Sequence, residues 1–244
     1  MDTYGDKGNI ITLQKRCEWR GIETTLTHVS IGDKLDAEKY DIYFFGGGQD
    51  RAQTIVGPDL LKKGKGVKSA VEKGAVMLAI CGGYQLLQKY FKTKDGGIIP
   101  GIGLFDAFTI GSDDRMIQNL LIEINPNTQS EIQSVYPTSD IRHPMSDLIG
   151  FENHSGKTYL GSNAKPLGRV IKGAGNNGED GTEGAVYKNA FGCYLHGSLL
   201  PKNPHFADYL ISKALDRRYG KITLKPLDDT LEWQAHQSAI KRIH

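Results

Sequence analysis

The sequence predicts an α/β fold in which a mostly parallel sheet is flanked by helices. Short, largely apolar runs at 40–45 (YDIYFF) and 75–80 (AVMLAI) are typical of strands buried on both faces. Around them, apolar residues recur at spacings of three and four, as on one face of an amphipathic helix. Strands that alternate with helices favour parallel pairing, because each crossover helix returns the chain to the same end of the sheet.

The first half of the chain alternates in this way. The predicted order is a helix over 9–19, a strand over 22–31, a strand over 40–45, a helix over 62–73 and a strand over 75–80. The first helix is predicted because Ile10, Leu13 and Cys17 fall on one face and Gly21 follows as a stop. Residues 22–31 are half-alternating and rich in β-branched side chains, which favours a strand.

The second half is richer in turns. Strands are predicted over 101–110, 119–124 and 151–161, followed by two short strands that turn at Lys188–Asn189 and end at His196. The stretch 125–149 is the least regular part and is predicted to be a surface insertion, and 173–184 is a glycine-rich loop. Helices from Pro204 to Gly220 and over 229–242 close the chain.

One element of such a fold is missing from the pattern. A doubly wound sheet begins with a buried strand, whereas the first helix here begins near Asp6. We therefore predict a sheet that lacks its first strand, with exposed apolar side chains or a groove beside the central strand. An additional segment upstream of Met1 in the native gene would explain the gap.

Composition excludes several classes of protein. The 244 residues carry a net charge of +2 with dispersed Lys and Arg, which does not indicate nucleic acid binding. No apolar run approaches the ~20 residues that span a bilayer. Cys17, Cys81 and Cys193 lack CxxC spacing, so neither a disulfide framework nor a metal site is indicated. We predict a single cytoplasmic domain over 1–244 that needs no cofactor.

Residues 78–85 (LAICGGYQ) place a cysteine where a buried strand gives way to a helix. Ala79 and Gly83, two residues to either side of Cys81, relieve crowding at a strained turn of the kind that presents a nucleophile. N–H groups of a helix starting at Tyr84 would favour the thiolate, and the N–H of Gly82 would face an oxyanion. The alternative is that Cys81 is a small buried core residue.

A thiolate nucleophile needs a base. Among the seven histidines, His196 ends an apolar strand and is followed by Gly197, at the sheet edge where ligands of α/β proteins gather. His154, in FENHSG, is the competing candidate.

These residues carry a resemblance to a known family. AICGGYQ resembles the nucleophile motif of class I (triad-type) glutamine amidotransferases, and CYLHG resembles the histidine motif of their cobyric acid synthase-like branch. Six segments in order are similar to the glutaminase subunits of lipid II isoglutaminyl synthases: YGDKGN, FFGGGQDR, AICGGYQLL, GFENHSGKT, GNNGED and YLHGSLLPKNP. They run from residue 4 to about residue 204. The resemblance implies a flavodoxin-like sheet.

The resemblance also implies residue roles. Cys81 would attack the side-chain amide of glutamine, release ammonia and form a γ-glutamyl thioester that water cleaves. His196 would accept the thiol proton and pass it to the ammonia. Backbone N–H groups of Gly47 and Gly82 would form the oxyanion hole.

Two further residues are implied in substrate binding. Gln85 would hydrogen-bond the glutamine, and Arg115 would grip its carboxylate with the planar guanidinium. The alternative for Arg115 is a solvated loop arginine that pairs with Asp113 or Asp114.

The sequence departs from the family pattern at the third catalytic position. Many triad amidotransferases carry Glu two residues after the histidine, where this chain has Ser198. Glu152 is a candidate third member that would orient His196 from another strand. The alternatives are that Glu152 braces a turn and that Cys81 and His196 work as a dyad.

The implied partner is a Mur ligase-like, ATP-dependent subunit that amidates the D-glutamate of lipid II, a lipid-linked acceptor. The chain itself has no GxxxxGK[ST] phosphate loop, so ATP would be bound elsewhere. Other readings are a glutaminase component of a cobalamin-type amidase, a stand-alone cysteine amidohydrolase, and a catalytically silent scaffold.

Overall fold

The structure, a computed structural model, describes residues 6–136 and 145–243. The helices are α1 (Lys7–Glu18), α2 (Asp50–Glu72), α3 (Gly82–Leu86), α4 (Pro126–Val135), α5 (Pro204–Tyr219) and α6 (Thr230–Lys241). The strands are β1 (Ile42–Phe45), β2 (Val76–Ile80), β3 (Tyr90–Lys92), β4 (Ile98–Pro100), β5 (Ala107–Ile124), β6 (Asp147–Leu160), β7 (Gly168–Lys172), β8 (Thr182–Glu183), β9 (Ala185–Tyr187) and β10 (Ala190–Cys193).

A sheet with the strand order β1-β2-β10-β9 forms the centre of the fold. β2 pairs in parallel with β1 on one side and with β10 on the other, and β9 adds an antiparallel edge. Every residue of β2 and β10 is buried, as their apolar sequences require. The predicted α/β class with parallel strands and flanking helices is therefore confirmed.

A second, mostly antiparallel sheet has the order β4-β3-β5-β7-β8, with β6 also paired to β5. The strands predicted separately over 101–110 and 119–124 lie on one long strand, β5, which pairs along nearly its whole length with β6. Polar residues between the two apolar runs interrupt the pattern, so the sequence predicts two strands where the structure has one. A register shift between Gly111 and Met116 accommodates that stretch as a bulge.

Two predicted elements differ in the structure. α2 begins at Asp50, well before residue 62, although Gly57 and Pro58 lower helix propensity there. Tertiary packing outweighs that propensity, because a Cβ atom on Gly57 would already touch the side chains of Ile99 in β4 at 3.4 Å and of Leu86 in α3 at 3.7 Å. The insertion predicted over 125–149 contains α4, which Asn125 caps by accepting the N–H of Thr128 at 3.0 Å. Residues 137–144 of that stretch lie outside the described part.

The strand predicted over 22–31 is wrong. Residues 22–30 form neither helix nor strand and are mostly exposed. Within the described ranges, no hydrogen bond joins the backbone of residues 23–29 to another residue. β-Branched composition favours a strand, but a strand forms only where a neighbouring strand completes the hydrogen-bond ladder.

No strand precedes β1 between residues 6 and 41, and β1 is an edge of the central sheet. Its four residues are each only partly buried.

A buried ionic cluster joins α1 to the two C-terminal helices. The Arg16 guanidinium is 1% exposed and donates to both carboxylate oxygens of Asp208 at 2.6 and 2.8 Å, and to those of Asp229 at 2.6 and 2.9 Å. Arg20 also donates to both carboxylate oxygens of Asp208 through its two terminal guanidinium nitrogens. The Tyr136 hydroxyl donates to Asp229. Such a cluster is stable only when each charge keeps its partners.

No helix within the described residues is long and apolar enough to cross a membrane.

Candidate active site

Cys81 lies at the carboxyl end of β2 and immediately precedes α3. Its backbone has φ +49° and ψ −109°, a conformation that non-glycine residues rarely adopt and that a nucleophile elbow requires. A Cβ atom on Gly82 would lie 2.5 Å from the carbonyl oxygen of Gly48, and one on Gly83 would lie 2.3 Å from that of Phe45. The two glycines therefore allow the turn to press against the loop that follows β1.

His196 is held next to this turn by two main-chain hydrogen bonds with Phe151, at 2.8 and 3.1 Å. Its imidazole is fully buried and interacts with the Cys81 thiol on one side. On the other side, Nδ1 lies 3.3 Å from Oδ1 of Asp6. The structure thus places the predicted base, His196, next to the predicted nucleophile, Cys81, although the two are 115 positions apart in the sequence.

These neighbours set the protonation of the imidazole. Burial alone lowers the pKa of His196, but its hydrogen bond to Asp6 and its interaction with Cys81 outweigh burial and raise the pKa to about 9. An imidazole that holds its proton at neutral pH can act as a proton donor beside Cys81. The pair can then supply both a nucleophile and a proton donor.

Asp6 is the residue that the sequence analysis did not single out for this site. It is fully buried at the entrance of α1, and its Oδ2 accepts the N–H of Gly47 at 2.7 Å while Oδ1 faces His196. An acidic residue before a helix, inside the segment YGDKGN, was the available signal. The carboxylate is placed to fix the imidazole tautomer, as the third member of a triad does.

Glu152 does not occupy that position, which corrects the prediction. Its two oxygens accept the N–H groups of Ala174 and Gly175 at 2.7 and 2.9 Å, and Oε2 lies 3.6 Å from Nε2 of His154. Glu152 therefore braces the glycine-rich loop, which is one of the alternatives that the sequence leaves open for it.

The structure also revises the predicted oxyanion hole. The N–H of Gly47 donates to Asp6, so this group is engaged in the triad and not presented to a substrate. A Cβ on Gly47 would lie 2.7 Å from Cε1 of His196, which explains why glycine is needed there. The backbone nitrogen of Gly48 would lie 2.9 Å from a Cβ placed on Gly82. The backbone of Gly48 therefore packs directly against Gly82, the residue after Cys81.

Gln85 lies one turn beyond Cys81, with its amide inside a buried network. Its Oε1 accepts from Nε2 of Gln53 at 2.7 Å, and its Nε2 donates to the Tyr194 hydroxyl at 3.0 Å. This network holds Tyr194 near the cysteine, whose charge contributes to the raised pKa of the Tyr194 phenol after the main effect of burial. Substrate contact by Gln85 would use the donor and acceptor capacity that remains.

His154 and Arg115 lie on the paired strands β6 and β5 next to this network. The His154 ring stacks on Tyr194 with centroids 3.6 Å apart, so the competing histidine is a wall of the site. The adjacent Asn153 accepts from Nε and Nη2 of Arg115 at 3.0 and 2.9 Å through a single oxygen. Arg115 is exposed on the β5 bulge.

A second buried carboxyl, Glu183, lies behind Tyr194 and accepts its N–H at 2.5 Å. Burial raises the pKa of Glu183 to about 8, and the nearby charge of Glu152 adds to the effect. The group is therefore mostly a neutral acid at pH 7.

No cluster of His, Cys, Asp and Glu side chains that could hold a metal ion occurs in residues 6–136 and 145–243.

Comparisons with known proteins identify the family of this chain. A family model described as the CobB/CobQ-like glutamine amidotransferase domain matches residues 1–204. The chain is 39% identical over 233 residues to the GatD subunit of the glutamine-hydrolysing lipid II isoglutaminyl synthase of Streptococcus pneumoniae, covering 95% of this chain and 83% of that protein. Its identity to the Staphylococcus aureus GatD subunit is 38% over 244 residues, covering 100% and 92%.

The chain is also similar, more distantly, to other proteins and solved structures. A probable cobyric acid synthase of Methanococcus maripaludis is 36% identical over 183 residues, which cover 70% of this chain and 33% of that protein. A crystal structure of a glutamine amidotransferase from Thermotoga maritima superimposes with a TM-score of 0.52 at 17% identity, covering 95% of this chain and 91% of that one. A further glutamine amidotransferase gives a TM-score of 0.53 at 15% identity, with coverages of 84% and 93%. The structural likenesses show the fold.

Proposed function

Because the chain belongs to the CobB/CobQ-like glutamine amidotransferase family, we propose that it is the glutamine-hydrolysing subunit of a lipid II isoglutaminyl synthase, with Cys81, His196 and Asp6 as its catalytic triad. The observation that carries this proposal is the buried contact series from the strained Cys81 through His196 to Asp6. Extensive identity to two GatD subunits supports the choice within the family.

In the first half-reaction, the Cys81 thiolate attacks the side-chain amide carbon of glutamine. The N–H groups of Gly48 and Gly82 stabilise the negative charge on the amide oxygen. The C–N bond then breaks, and the imidazolium of His196 gives its proton to the departing nitrogen, which leaves as ammonia. A γ-glutamyl thioester remains on Cys81.

In the second half-reaction, neutral His196 takes a proton from water, and the resulting hydroxide attacks the thioester carbon. The C–S bond breaks to release glutamate and to restore the thiolate–imidazolium pair. The Asp6 carboxylate accepts the Nδ1–H of the imidazole and fixes its orientation, so the other ring nitrogen performs both transfers.

Substrate selection is assigned to the rim of the site. The guanidinium of Arg115 binds the α-carboxylate of glutamine, and Asn153 pre-orients that guanidinium. Gln85 acts mainly through Tyr194, as a positioning residue. Cys81 is only 8% exposed, so glutamine enters after a local opening at the rim.

The ammonia is delivered to a second subunit, which is Mur ligase-like, binds ATP and activates the lipid-linked acceptor. Ammonia in water near neutral pH is mostly protonated and cannot attack an acyl phosphate, so direct transfer between subunits is required. The probable cobyric acid synthases match over only a third of their length. The cobalamin-type function is therefore the second candidate.

One experiment separates these assignments. The purified chain is incubated with glutamine, alone and with a candidate Mur ligase-like subunit from the same cell, and glutamate release is measured beside Cys81→Ala. We expect release that the partner increases and that the variant lacks. Full activity without any effect of the partner would favour a stand-alone amidohydrolase, and no release in either condition would exclude the proposed function.

A further inference from the structure

One buried carboxyl beside the site has no part in the proposed reaction. Glu183 is fully buried, and burying a carboxyl costs free energy unless its oxygens are hydrogen-bonded. Oε1 accepts the N–H of Tyr194 at 2.5 Å, whereas Oε2 has no hydrogen-bond partner among the described residues. A buried polar group that is satisfied on one side alone is typical of a functional position.

The bond to Glu183 holds one end of a peptide group whose other end is bonded to the nucleophile. The C=O of Cys193 and the N–H of Tyr194 belong to the same planar peptide. That C=O accepts the N–H of Cys81 at 2.8 Å, and that N–H donates to Glu183. The peptide therefore lies between Glu183 and the backbone of Cys81, and His196 follows two residues later.

Sheet geometry explains why a side chain supplies this acceptor. β10 pairs with β9 in antiparallel register as far as Gly192 and Ala185, and the same register would bring the backbone of Glu183 opposite Tyr194. Gly184 ends the pairing, because its φ of +64° turns the chain out of the strand. The carboxyl of Glu183 takes the place of the missing backbone acceptor.

Glu183 also connects the two sheets. Its backbone lies in β8, which pairs with β7 of the second sheet, while its side chain bonds the residue after β10 of the central sheet. The second sheet carries Arg115 on β5 and Asn153 on β6, where we place the binding of glutamine. Cys81 and His196 follow strands of the central sheet. One side chain thus ties the substrate-binding strands to the strands that carry the reacting pair.

We propose that Glu183 is a positioning residue for glutamine hydrolysis, which holds the Cys193–Tyr194 peptide and, through it, the backbone of Cys81. This inference rests on the proposed function. Glu183 acts through the backbone and transfers no proton itself. Since a misplacement of about 1 Å at the reacting atoms can cost about 100-fold in rate, loss of this acceptor lowers kcat. KM depends on Arg115 and changes little.

The contribution is that of a hydrogen bond more than of a charge. Burial raises the pKa of Glu183 to about 8, so the carboxyl is mostly neutral at pH 7 and its removal there hardly alters the charge of the site. Glutamine at this position keeps an acceptor oxygen of the same reach. Alanine keeps none and leaves the N–H of Tyr194 buried without its acceptor.

The test measures glutamate release and amide hydrogen exchange at pH 7 in the unmodified chain and three variants. Glu183→Ala removes the acceptor, Glu183→Gln restores one, and Ile132→Ala lowers stability at a buried position of α4, which packs on α5. In Glu183→Ala we expect kcat to fall roughly 10- to 100-fold with little change in KM. The amide of Cys81 should exchange about tenfold faster, because its acceptor peptide is loosened.

The other variants separate positioning from a general loss of stability. Glu183→Gln should recover most of kcat and of the protection at Cys81, and Ile132→Ala should lower Tm without changing either. Glu183→Asp, whose carboxyl is shorter by one methylene group, serves if the alanine variant does not fold, and it should lower kcat in the same way.

Equal losses of kcat in Glu183→Ala and Ile132→Ala, or no recovery in Glu183→Gln, would overturn the inference. No glutamate release from the unmodified chain would refute the proposed function itself. The exchange measurement needs no glutamine, so unchanged exchange at Cys81 in Glu183→Ala would overturn the role of Glu183 in either case.

Discussion

Replacing Asp6 by Asn tests the most specific feature of the proposed triad. Asparagine keeps the size of the side chain, and its oxygen can still accept the N–H of Gly47, so the fold around the site is retained. What is lost is the negative charge 3.3 Å from Nδ1 of His196. The variant therefore isolates the electrostatic contribution of the carboxylate to the imidazolium.

The size of the effect follows from the pKa of His196. Burial lowers this pKa, while Asp6 and Cys81 together raise it to about 9. A nearby opposite charge contributes about one to three pKa units, each worth about 1.4 kcal/mol. Without the Asp6 charge, burial dominates and the imidazole loses its proton at lower pH. With the pKa lowered by one to three units from about 9, we expect kcat/KM for glutamine near pH 7.5 to fall by up to roughly 30-fold, in proportion to the lost protonation.

The assay is glutamate release as a function of pH. For the unmodified chain, activity should decline as pH rises through about 9, because the proton donor His196 is then neutral. In Asp6→Asn this decline should move to lower pH, while Glu152→Gln, which alters the carboxylate that binds Ala174 and Gly175, should leave it in place. A shift in the Glu152 variant without one in the Asp6 variant would refute the assignment of the third member.

Three other predictions concern stability and binding. Arg16→Leu should lower the free energy of unfolding, measured with urea, by about 3–5 kcal/mol because it leaves buried carboxylates unpaired. The control Lys15→Ala, at an exposed ion pair, should change it little. Equal effects of the two substitutions would refute the stabilising role of the buried cluster. The raised pKa of Glu183 means that the folded chain binds a proton more tightly than the unfolded chain, so stability should fall as pH rises from about 4.5 to about 8, and Glu183→Gln should remove this dependence. A pH dependence unchanged in that variant would contradict the buried neutral acid. Arg115→Ala should raise KM for glutamine by a factor equivalent to about 2–4 kcal/mol with a smaller change in kcat, and an unchanged KM would make Arg115 a surface residue.

Elements with an apolar pattern of their own were predictable from the sequence. The strands β1 and β2 and the helices α5 and α6 follow from local apolar patterns, since each buries its own face. The segment 22–30 was not predictable in this way, because a strand depends on a neighbour that the local sequence does not specify. The early start of α2 was missed for a related reason, as packing around Gly57 outweighs a poor propensity.

The residues of the candidate site also differ in whether the local sequence predicts them. Cys81 was predictable because a strand, a cysteine and two glycines specify the elbow locally. His196 followed from its place at a strand end. Asp6 was missed because its contact with His196 joins positions 190 residues apart and exists only in the folded chain. Glu152 has the carboxylate that a third catalytic member needs, but its two oxygens accept backbone N–H groups of the glycine-rich loop.

The central claim is that Cys81 forms a thioester with the γ-carbonyl of glutamine. The most direct measurement is intact-protein and peptide mass spectrometry after rapid acid quenching of a reaction with glutamine. We predict one glutamyl group on the peptide that contains Cys81, and none in Cys81→Ala. Burial raises the pKa of Cys17 to about 11 and that of Cys193 well above its usual value, so both remain unreactive thiols. A glutamyl group on either of these cysteines, or glutamate release by Cys81→Ala, would contradict the account.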